Sequence, residues 1–134
     1  MFHFAGHGVA SSDEPGLVLS DRLLTSKDLK GARIGKLQLV FLAACGTDAE
    51  APETNSHYNA LAQTFVRQGV RRVIGSRWNA DSRSTQAYVS HFYRELLDGN
   101  GVSLSIQHAQ NAVRGRTETS HPYYWAGFRL YGLA

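Results

Sequence analysis

Two short blocks of this chain end at residues that are capable of nucleophilic chemistry. Residues 2–8 form an apolar run that reaches His7 and Gly8, and residues 39–47 form another that reaches Cys45, the only cysteine. In a parallel sheet, neighbouring strands lie about 4.8 Å apart, and ligands collect at the C-terminal ends of the strands. If these two strands are neighbours, the imidazole and the thiol meet at one edge. A cysteine nucleophile requires at least a thiol and a histidine beside it as the base.

A zinc site is the main competing chemistry, and its geometry is poor. His3 and His7 are four residues apart, which would place both on one face of a helix. The flanking phenylalanines and glycines favour extended chain instead, where residues four apart are separated by about 13 Å. Such a site would also need Cys45, and His57 as a further ligand. These residues do not follow a recognised spacing of zinc ligands. We therefore expect no metal and no cofactor.

Length and charge narrow the function classes. A chain of 134 residues with 43% hydrophobic content predicts a single domain over residues 1–134. The net charge is +3, but the arginines are spread along the sequence, so we expect no direct binding of nucleic acid. One cysteine forms no internal disulfide, the chain shows no charged and apolar leader, and the longest apolar stretch is far shorter than a membrane span. These features favour a cytoplasmic protein without membrane contact.

The periodicity of apolar residues alternates between extended and helical patterns, as in a mostly parallel sheet covered by helices. Thr25 or Ser26 is a suitable N-cap for a short helix that stops at Gly31, and Gly69 is a suitable stop for a later one. The remaining predicted elements are extended chain over residues 16–20, strands over 37–44 and 70–76, helices over 58–68 and 103–113, and a polar loop over 46–57. A further helix runs to about Leu97 from a cap at Asp81, Ser82 or Ser84, and residues 123–132 form an aromatic turn that leads into a last strand.

Five ordered blocks resemble the CHAT-domain family, caspase-like cysteine peptidases that are distant relatives of separase. The blocks cover nearly the whole chain, and together they are much more specific than a lone cysteine and histidine. They are His3 with His7-Gly8, Ala44-Cys45-Gly46-Thr47, the run from Gly75 to Asp81, Phe92-Tyr93, and the run from Pro122 to Phe128. The resemblance implies an α/β fold, a caspase-like three-layer αβα sandwich with a mostly parallel central sheet. Members usually have at least two strands before the histidine strand, so the resemblance also implies a domain that lacks its N-terminal part.

The resemblance assigns roles at matching positions. It implies that His7 is the catalytic histidine and Cys45 the nucleophile, with the backbone N–H groups of Gly8 and Cys45 directed at the oxyanion. Asp81, with Trp78 beside it, matches the acidic position that faces a basic substrate residue in separase-like relatives. The resemblance therefore predicts a cysteine endopeptidase that cuts a protein or peptide substrate after a basic residue. A regulatory partner, or an N-terminal or repeat region, is the expected activator.

A purely structural role is the alternative for each of these residues. Cys45 is also compatible with an inert thiol at a strand end, and His7 with a structural histidine. Asp81 is well placed to be only a helix N-cap, and Trp78 to be only a core or pocket-wall aromatic. At the level of the whole domain, the alternative function is a catalytically inactive caspase-like module for binding or assembly.

Overall fold

A six-stranded sheet organises the part of the chain that the structure describes, residues 1–9, 16–46 and 55–132 of a computed structural model. The strands are β1 (Phe2–Val9), β2 (Gly16–Val18), β3 (Leu23–Thr25), β4 (Leu39–Gly46), β5 (Arg72–Ser76) and β6 (Phe128–Gly132). The helices are α1 (Ser26–Gly31), α2 (Asn55–Arg67), α3 (Ser82–Leu97), α4 (Val102–Arg114) and α5 (Pro122–Trp125), with a 3-10 turn at Thr117–Thr119. The strand order is β3-β2-β1-β4-β5-β6.

The centre of the sheet is parallel, and one side carries an antiparallel ribbon. Strand β4 pairs in parallel with both β1 and β5, whereas β1 with β2 and β2 with β3 are antiparallel. The chain crosses over between β4 and β5 through α2, which packs against β5, as parallel neighbours require. The predicted α/β class is thus confirmed, with the histidine and cysteine strands as neighbours in the sheet.

The chain forms two compact units. Among the described residues, the first comprises 1–9, 16–46, 55–79 and 129–132, and the second comprises 80–128. The first unit holds the sheet with α1 and α2, and the second holds α3, α4 and α5.

The core of the first unit lies between one face of the sheet and the helices α1 and α2. Alternate residues of β4, which include Val40 and Leu42, are buried on this face, and Phe2 and Phe4 of β1 pack against the same cluster. Helix α2 contributes Leu61, Ala62 and Phe65, and α1 contributes Leu29. Full burial of one such large apolar side chain stabilises the fold by about 1.5–3 kcal/mol.

Caps fix where the helices of the first unit begin and end. The Thr25 side chain accepts a hydrogen bond from the Asp28 amide, and the Asp28 side chain accepts one from the Thr25 amide, which is a capping box. Gly69 follows α2 with φ of +90°, a left-handed conformation that glycine adopts without strain. The predicted cap at Thr25 and stop at Gly69 are confirmed.

The second unit is a helical cluster with an aromatic interior. The α3 side chains Tyr88 and Phe92 are fully buried, as are Ala109 and Val113 of α4 at 0% and 1% exposure. The Tyr88 and Phe128 rings lie with their centroids 4.7 Å apart. The predicted aromatic turn includes α5, whose His121 cap accepts from the Tyr123 amide.

The predicted loop over residues 46–57 is shorter at both ends than expected. Gly46 still belongs to β4, and α2 begins at Asn55, before the predicted start at Tyr58. Residues 47–54 of this loop lie outside the described part of the chain. The helix predictions over 82–97 and 103–113 are confirmed, each within one residue at either end.

Candidate active site

His7 and Cys45 are direct partners in the parallel pairing of β1 with β4. The register joins His3 with Phe41, Ala5 with Ala43, and His7 with Cys45. Neighbouring strands are about 4.8 Å apart, so the two backbones approach closely at this position. Both residues also lie at the C-terminal end of their strand, with His7 two residues before the end of β1 and Cys45 one before the end of β4.

Pairing in register puts positions 7 and 45 on the same face of the sheet. Residues alternate between faces along a strand, so His3 shares its face with position 7, and Phe41 shares its face with position 45. The His3 and Phe41 rings meet on this face with centroids 5.2 Å apart. The opposite face carries Phe2 and Phe4 and forms the core of the first unit. The paired positions therefore face away from that core.

Both histidines of β1 are exposed to solvent at least in part. Partial burial lowers the pKa of the His3 imidazole below its ordinary value, which favours the neutral ring beside Phe41. The His7 side chain is exposed as well. Gly8 follows it and is buried, paired with Leu17 on one side and Gly46 on the other.

The loop that follows β5 presents Trp78. The Ser76 hydroxyl donates a hydrogen bond to the Trp78 carbonyl oxygen, which ties the loop to the end of the strand. The Arg77 guanidinium lies 5.3 Å from the centre of the Trp78 ring, in cation–π geometry. Trp78 is half-buried.

Asp81 caps the N-terminus of α3. Its Oδ2 accepts a hydrogen bond from the Ser84 amide at 2.9 Å, and its carbonyl oxygen accepts from the Ser84 hydroxyl at 3.0 Å. Structural capping, which the sequence left open beside substrate binding, is therefore a role that Asp81 fills. The carboxylate remains able to accept further hydrogen bonds, because its two oxygens offer about four acceptor positions.

Asp81 also lines a cavity of about 310 Å³ within the second unit. The α3 part of the wall includes Arg83 and Ala87, and the segment after α4 contributes Arg116, Glu118 and Thr119. Tyr124 of α5 also lines the cavity. Sequence reasoning missed Arg83, Arg116 and Glu118 as neighbours of Asp81. Arg116 and Glu118 follow α4 and share no periodicity with Asp81, whereas Arg83, two residues after Asp81, was the one available signal.

A family model of the CHAT domain matches residues 1–133. The chain belongs to the CHAT domain family. This is a family of caspase-like peptidases, and the α/β sheet of the chain agrees with a caspase-like fold. The resemblance seen in the five sequence blocks is thereby confirmed for the family.

Two relatives of this CHAT domain are very long proteins. The chain is 32% identical over 114 residues to tetratricopeptide repeat protein 28 of Mus musculus, and 30% identical over 128 residues to the protein of the same name in Homo sapiens. These alignments cover 85% and 96% of the chain, but 5% of each relative. The CHAT domain chain thus spans about 5% of the length of the relatives it matches.

Three of the predicted site residues of this CHAT domain lie on two paired strands, and the other two lie elsewhere in the chain. His7, Gly8 and Cys45 belong to two adjacent strands of the first unit, and Trp78 follows the third strand of the parallel centre. Asp81 belongs to the second unit. The catalytic, oxyanion and substrate-binding roles of these residues stay predictions.

Within residues 1–9, 16–46 and 55–132, no helix of this CHAT domain has the length and apolar character to cross a membrane. In the same ranges, no group of three or more metal-binding side chains comes together.

Proposed function

We propose that this CHAT domain is a cysteine endopeptidase that uses Cys45 as nucleophile and His7 as its acid–base partner. The observation that carries the proposal is the pairing of positions 7 and 45 in adjacent parallel strands, on one face and at the C-terminal ends. A parallel sheet collects its ligands at this edge, so a substrate bound there meets both residues.

In the first half of the reaction, the Cys45 thiolate attacks the carbonyl carbon of the scissile peptide bond. His7 takes the thiol proton, and a carbon–sulfur bond forms while the carbonyl π electrons move onto oxygen. The backbone N–H groups of Gly8 and Cys45 are the proposed donors to this oxyanion, each worth about 3 kcal/mol of transition-state stabilisation. When the tetrahedral intermediate collapses, the carbon–nitrogen bond breaks, and His7 gives its proton to the leaving amine.

Water completes the second half of the reaction. His7 removes a proton from a water molecule, whose oxygen attacks the thioester carbon of the acyl-enzyme. The carbon–sulfur bond then breaks, the Cys45 sulfur recovers a proton, and the carboxylic acid product leaves. This cycle consumes one water molecule and needs no cofactor or metal. It is supported by the exposed His7 side chain, which must exchange protons with substrate and water.

We further propose that the enzyme cuts after a basic residue and that Asp81, with Trp78, selects it. A half-buried carboxylate pairs more strongly with a guanidinium or ammonium group than an exposed one does, because water screens the pair less. The cap to Ser84 uses Oδ2, which leaves Oδ1 for such a partner.

A regulatory partner is also part of the proposal. Both relatives are named as tetratricopeptide repeat proteins, and the chain covers a small share of each. We propose that a repeat region or another protein partner controls the peptidase, and that its substrate is a protein or peptide.

The test is cleavage of a panel of fluorogenic peptides with Arg, Lys, Asp or Leu before the scissile bond. We expect cleavage by the native chain and its loss in Cys45→Ala and in His7→Ala. His3→Ala is the matched control, because His3 lies on the same strand and face as His7 but pairs with Phe41 instead of Cys45. Circular dichroism confirms that each variant is folded.

Retained cleavage by Cys45→Ala would exclude this mechanism. Equal loss in His3→Ala and His7→Ala, with both variants folded, would show that the register does not single out His7. If the native chain cleaves no peptide of the panel but binds one of them with the same affinity as Cys45→Ala, the result supports the binding or assembly module instead.

A further inference from the structure

The elements at the β6 side of the first unit carry positive charge without any acidic residue. Residues 55–79 and 129–132 contain no aspartate or glutamate. The same ranges contain five arginines, at positions 67, 71, 72, 77 and 129. They looked scattered in the sequence, but α2, β5 and β6 belong to one compact unit. Arg67 and Arg71 line cavities together with residues of β6, and the charges of Arg77 and Arg129 act on Tyr131 of the same strand. Four of the five arginines therefore form a positive surface around β6, and these segments supply no carboxylate to offset it.

Two adjoining cavities open on this surface. The first has a volume of about 200 Å³ and is lined by Gln63, Val66, Arg67, Tyr131 and Gly132. The second, of about 220 Å³, shares Val66 and Gly132 with the first. We call the two cavities together the α2–β6 groove. Each is smaller than the roughly 300–1,000 Å³ of a small-molecule pocket, so each suits a single side chain of a larger partner.

The lining of the α2–β6 groove combines aliphatic surface with cations. Its second cavity adds Gly69, Val70 and Arg71 to the two shared residues. Val66 and Val70 supply apolar surface, while Arg67 and Arg71 are both exposed and stand at the rim. An apolar interior with charged rim residues is the usual composition of a protein interaction surface.

More positive charge lies next to the groove. An added Cβ at Gly35 would lie 2.8 Å from the Gln68 carbonyl oxygen, so the segment around Gly35 packs against the turn after α2. Exposed Arg33 and Lys36 flank this contact. At the other side, the Arg129 guanidinium lies 5.6 Å from the centre of the Tyr131 ring. Burial raises the pKa of Tyr131, and the charges of Arg129 and Arg77 partly oppose this rise.

Strand β6 is the last strand of the sheet on this side, within the described residues. An edge strand is a site where an extended peptide adds to a sheet through main-chain hydrogen bonds, while pockets for alternate side chains give specificity. The α2–β6 groove lies beside this edge, because Tyr131 and Gly132 of β6 form part of its wall.

We propose that the α2–β6 groove docks an acidic, extended peptide segment of a partner protein. Apolar side chains of the segment enter the two cavities, and its carboxylates pair with Arg67 and Arg71 at the rim. The inference does not depend on peptidase activity, since none of the groove residues belongs to the site of His7 and Cys45.

Two other occupants fit the surface less well. A second copy of this chain would bring the same arginines into opposition across a two-fold axis, and like charges at an interface cost several kcal/mol. Single-stranded nucleic acid is held on aromatic platforms, on which its bases stack. Tyr131 is the one aromatic residue that lines either cavity, and the rest of the apolar lining is valine.

The test is fluorescence anisotropy with the 134-residue chain and a labelled peptide in which Glu and Asp flank a central Leu-Phe pair. We expect binding that weakens as salt rises, because salt screens exposed charges. The double variant Arg67→Glu/Arg71→Glu should bind at least about tenfold more weakly, since two attractions become repulsions. Arg94→Glu is the matched control, an exposed arginine on α3 outside the groove, and should change the affinity less than about twofold.

Two altered peptides test which features of the acidic peptide are needed for binding. The same peptide with Gln and Asn in place of Glu and Asp tests the need for charge, and one with Ser in place of Leu and Phe tests the need for apolar anchors. We expect both to bind more weakly than the acidic peptide. Should Arg67→Glu/Arg71→Glu unfold, as judged by circular dichroism, Arg67→Gln/Arg71→Gln serves instead, because it removes charge without reversing it.

Peptide binding that is equal in the groove variant and in Arg94→Glu would overturn the proposal. A single-stranded oligonucleotide that binds more tightly than the acidic peptide, and is lost in the same groove variant, would replace the peptide with nucleic acid. Concentration-dependent dimerisation of the chain that the groove variant abolishes, seen by sedimentation, would replace it with a second copy.

Discussion

The Asp81 carboxylate accepts the Ser84 amide at 2.9 Å and so closes the first turn of α3. This bond gives Asp81 a structural role that does not require its charge. Asparagine caps helices about as well as aspartate, whereas alanine does not cap. The two roles considered for Asp81, helix capping and recognition of a basic residue, are therefore separable by substitution.

We predict that Asp81→Ala lowers the free energy of unfolding by about 1 kcal/mol, because the Ser84 amide loses its partner. Asp81→Asn should cost about 0.5 kcal/mol, since the cap remains and only the favourable charge at the helix N-terminus is lost. Urea unfolding followed by circular dichroism measures both. Equal losses in the two variants would contradict the capping assignment.

The same pair of variants tests specificity. In Asp81→Asn we expect the preference for Arg or Lys over Leu before the scissile bond to fall about tenfold or more, because truncating one member of a desolvated charge pair costs about 2–5 kcal/mol. The ratio of kcat/KM for the two peptide classes is the measurement. An unchanged ratio would leave Asp81 with the cap alone and would remove it from the specificity pocket.

Much of the architecture could be predicted from local patterns, because the deciding interactions are short in sequence. The cap at Thr25, the glycine stop at Gly69 and the apolar period of α3 each depend on a few neighbouring residues. The approach of His7 to Cys45 was predictable for a different reason. Both strands end at a chemically capable residue, and adjacent parallel strands end at the same edge of a sheet.

Other features depend on chain segments that share no sequence signal. Strand β3 has three residues, the last of which, Thr25, also caps α1, so the helix signal hides the strand. The cavity beside Asp81 combines α3 with Arg116 and Glu118, which follow α4. Arg67, Arg71, Arg77 and Arg129 come together around β6 only in the folded chain, so their spacing in the sequence did not predict this surface.

The close contact between the segment at Gly35 and the end of α2 makes Gly35 sensitive to an added methyl group. An alanine Cβ there would lie 2.8 Å from the Gln68 carbonyl oxygen and 3.8 Å from the α-carbon of Gly69. We predict that Gly35→Ala lowers the free energy of unfolding by about 1–3 kcal/mol, as other overpacked positions do.

Gly31→Ala is the matched control, because a Cβ at Gly31 meets nothing within 4 Å. It should leave the free energy of unfolding unchanged or raise it by up to about 1 kcal/mol, since Gly31 belongs to α1. Urea unfolding measures both variants. If Gly35→Ala is as stable as Gly31→Ala, the contact with Gln68 is looser than the structure describes.

A hydrogen bond between side chains joins α3 to α4 in the second unit. The Nδ1 of His108 donates a hydrogen bond to Oε2 of Glu95, and the side-chain Nδ2 of Asn100 donates to the same oxygen at 2.9 Å. These bonds, with His108 as the main cause, lower the pKa of the Glu95 carboxyl below its ordinary value, and partial burial opposes them. The positive charges of His108 and Arg94 act in the same direction as the hydrogen bonds.

Because the pKa of Glu95 is lower in the folded chain than in the unfolded one, the unfolded state binds its proton first as pH falls. The contribution of Glu95 to the free energy of unfolding is complete above its ordinary pKa of 4.5. It is lost as pH falls through the lower pKa of the folded state. We predict that the melting temperature of Glu95→Gln falls less steeply than that of the native chain between about pH 6 and pH 3. Glu118→Gln is the control, because Glu118 is exposed and takes no part in these hydrogen bonds, and its melting temperature should vary with pH as that of the native chain does. If the melting temperatures of all three proteins fall in parallel as pH falls, the prediction is wrong.

The reactivity of Cys45 tests its pairing with His7 without any substrate. Cys45 is the only cysteine, so alkylation by iodoacetamide reports on this thiol alone. A free thiol with a pKa near 8.5 is only a few per cent thiolate at about pH 7, and a nearby histidine that favours the thiolate raises this fraction. We predict that alkylation at this pH is about tenfold slower in His7→Ala than in the native chain, whereas folded His3→Ala reacts at the native rate. Identical rates in the native chain and His7→Ala would mean that the register brings the two backbones together without coupling their side chains, and the peptidase mechanism would lose its basis.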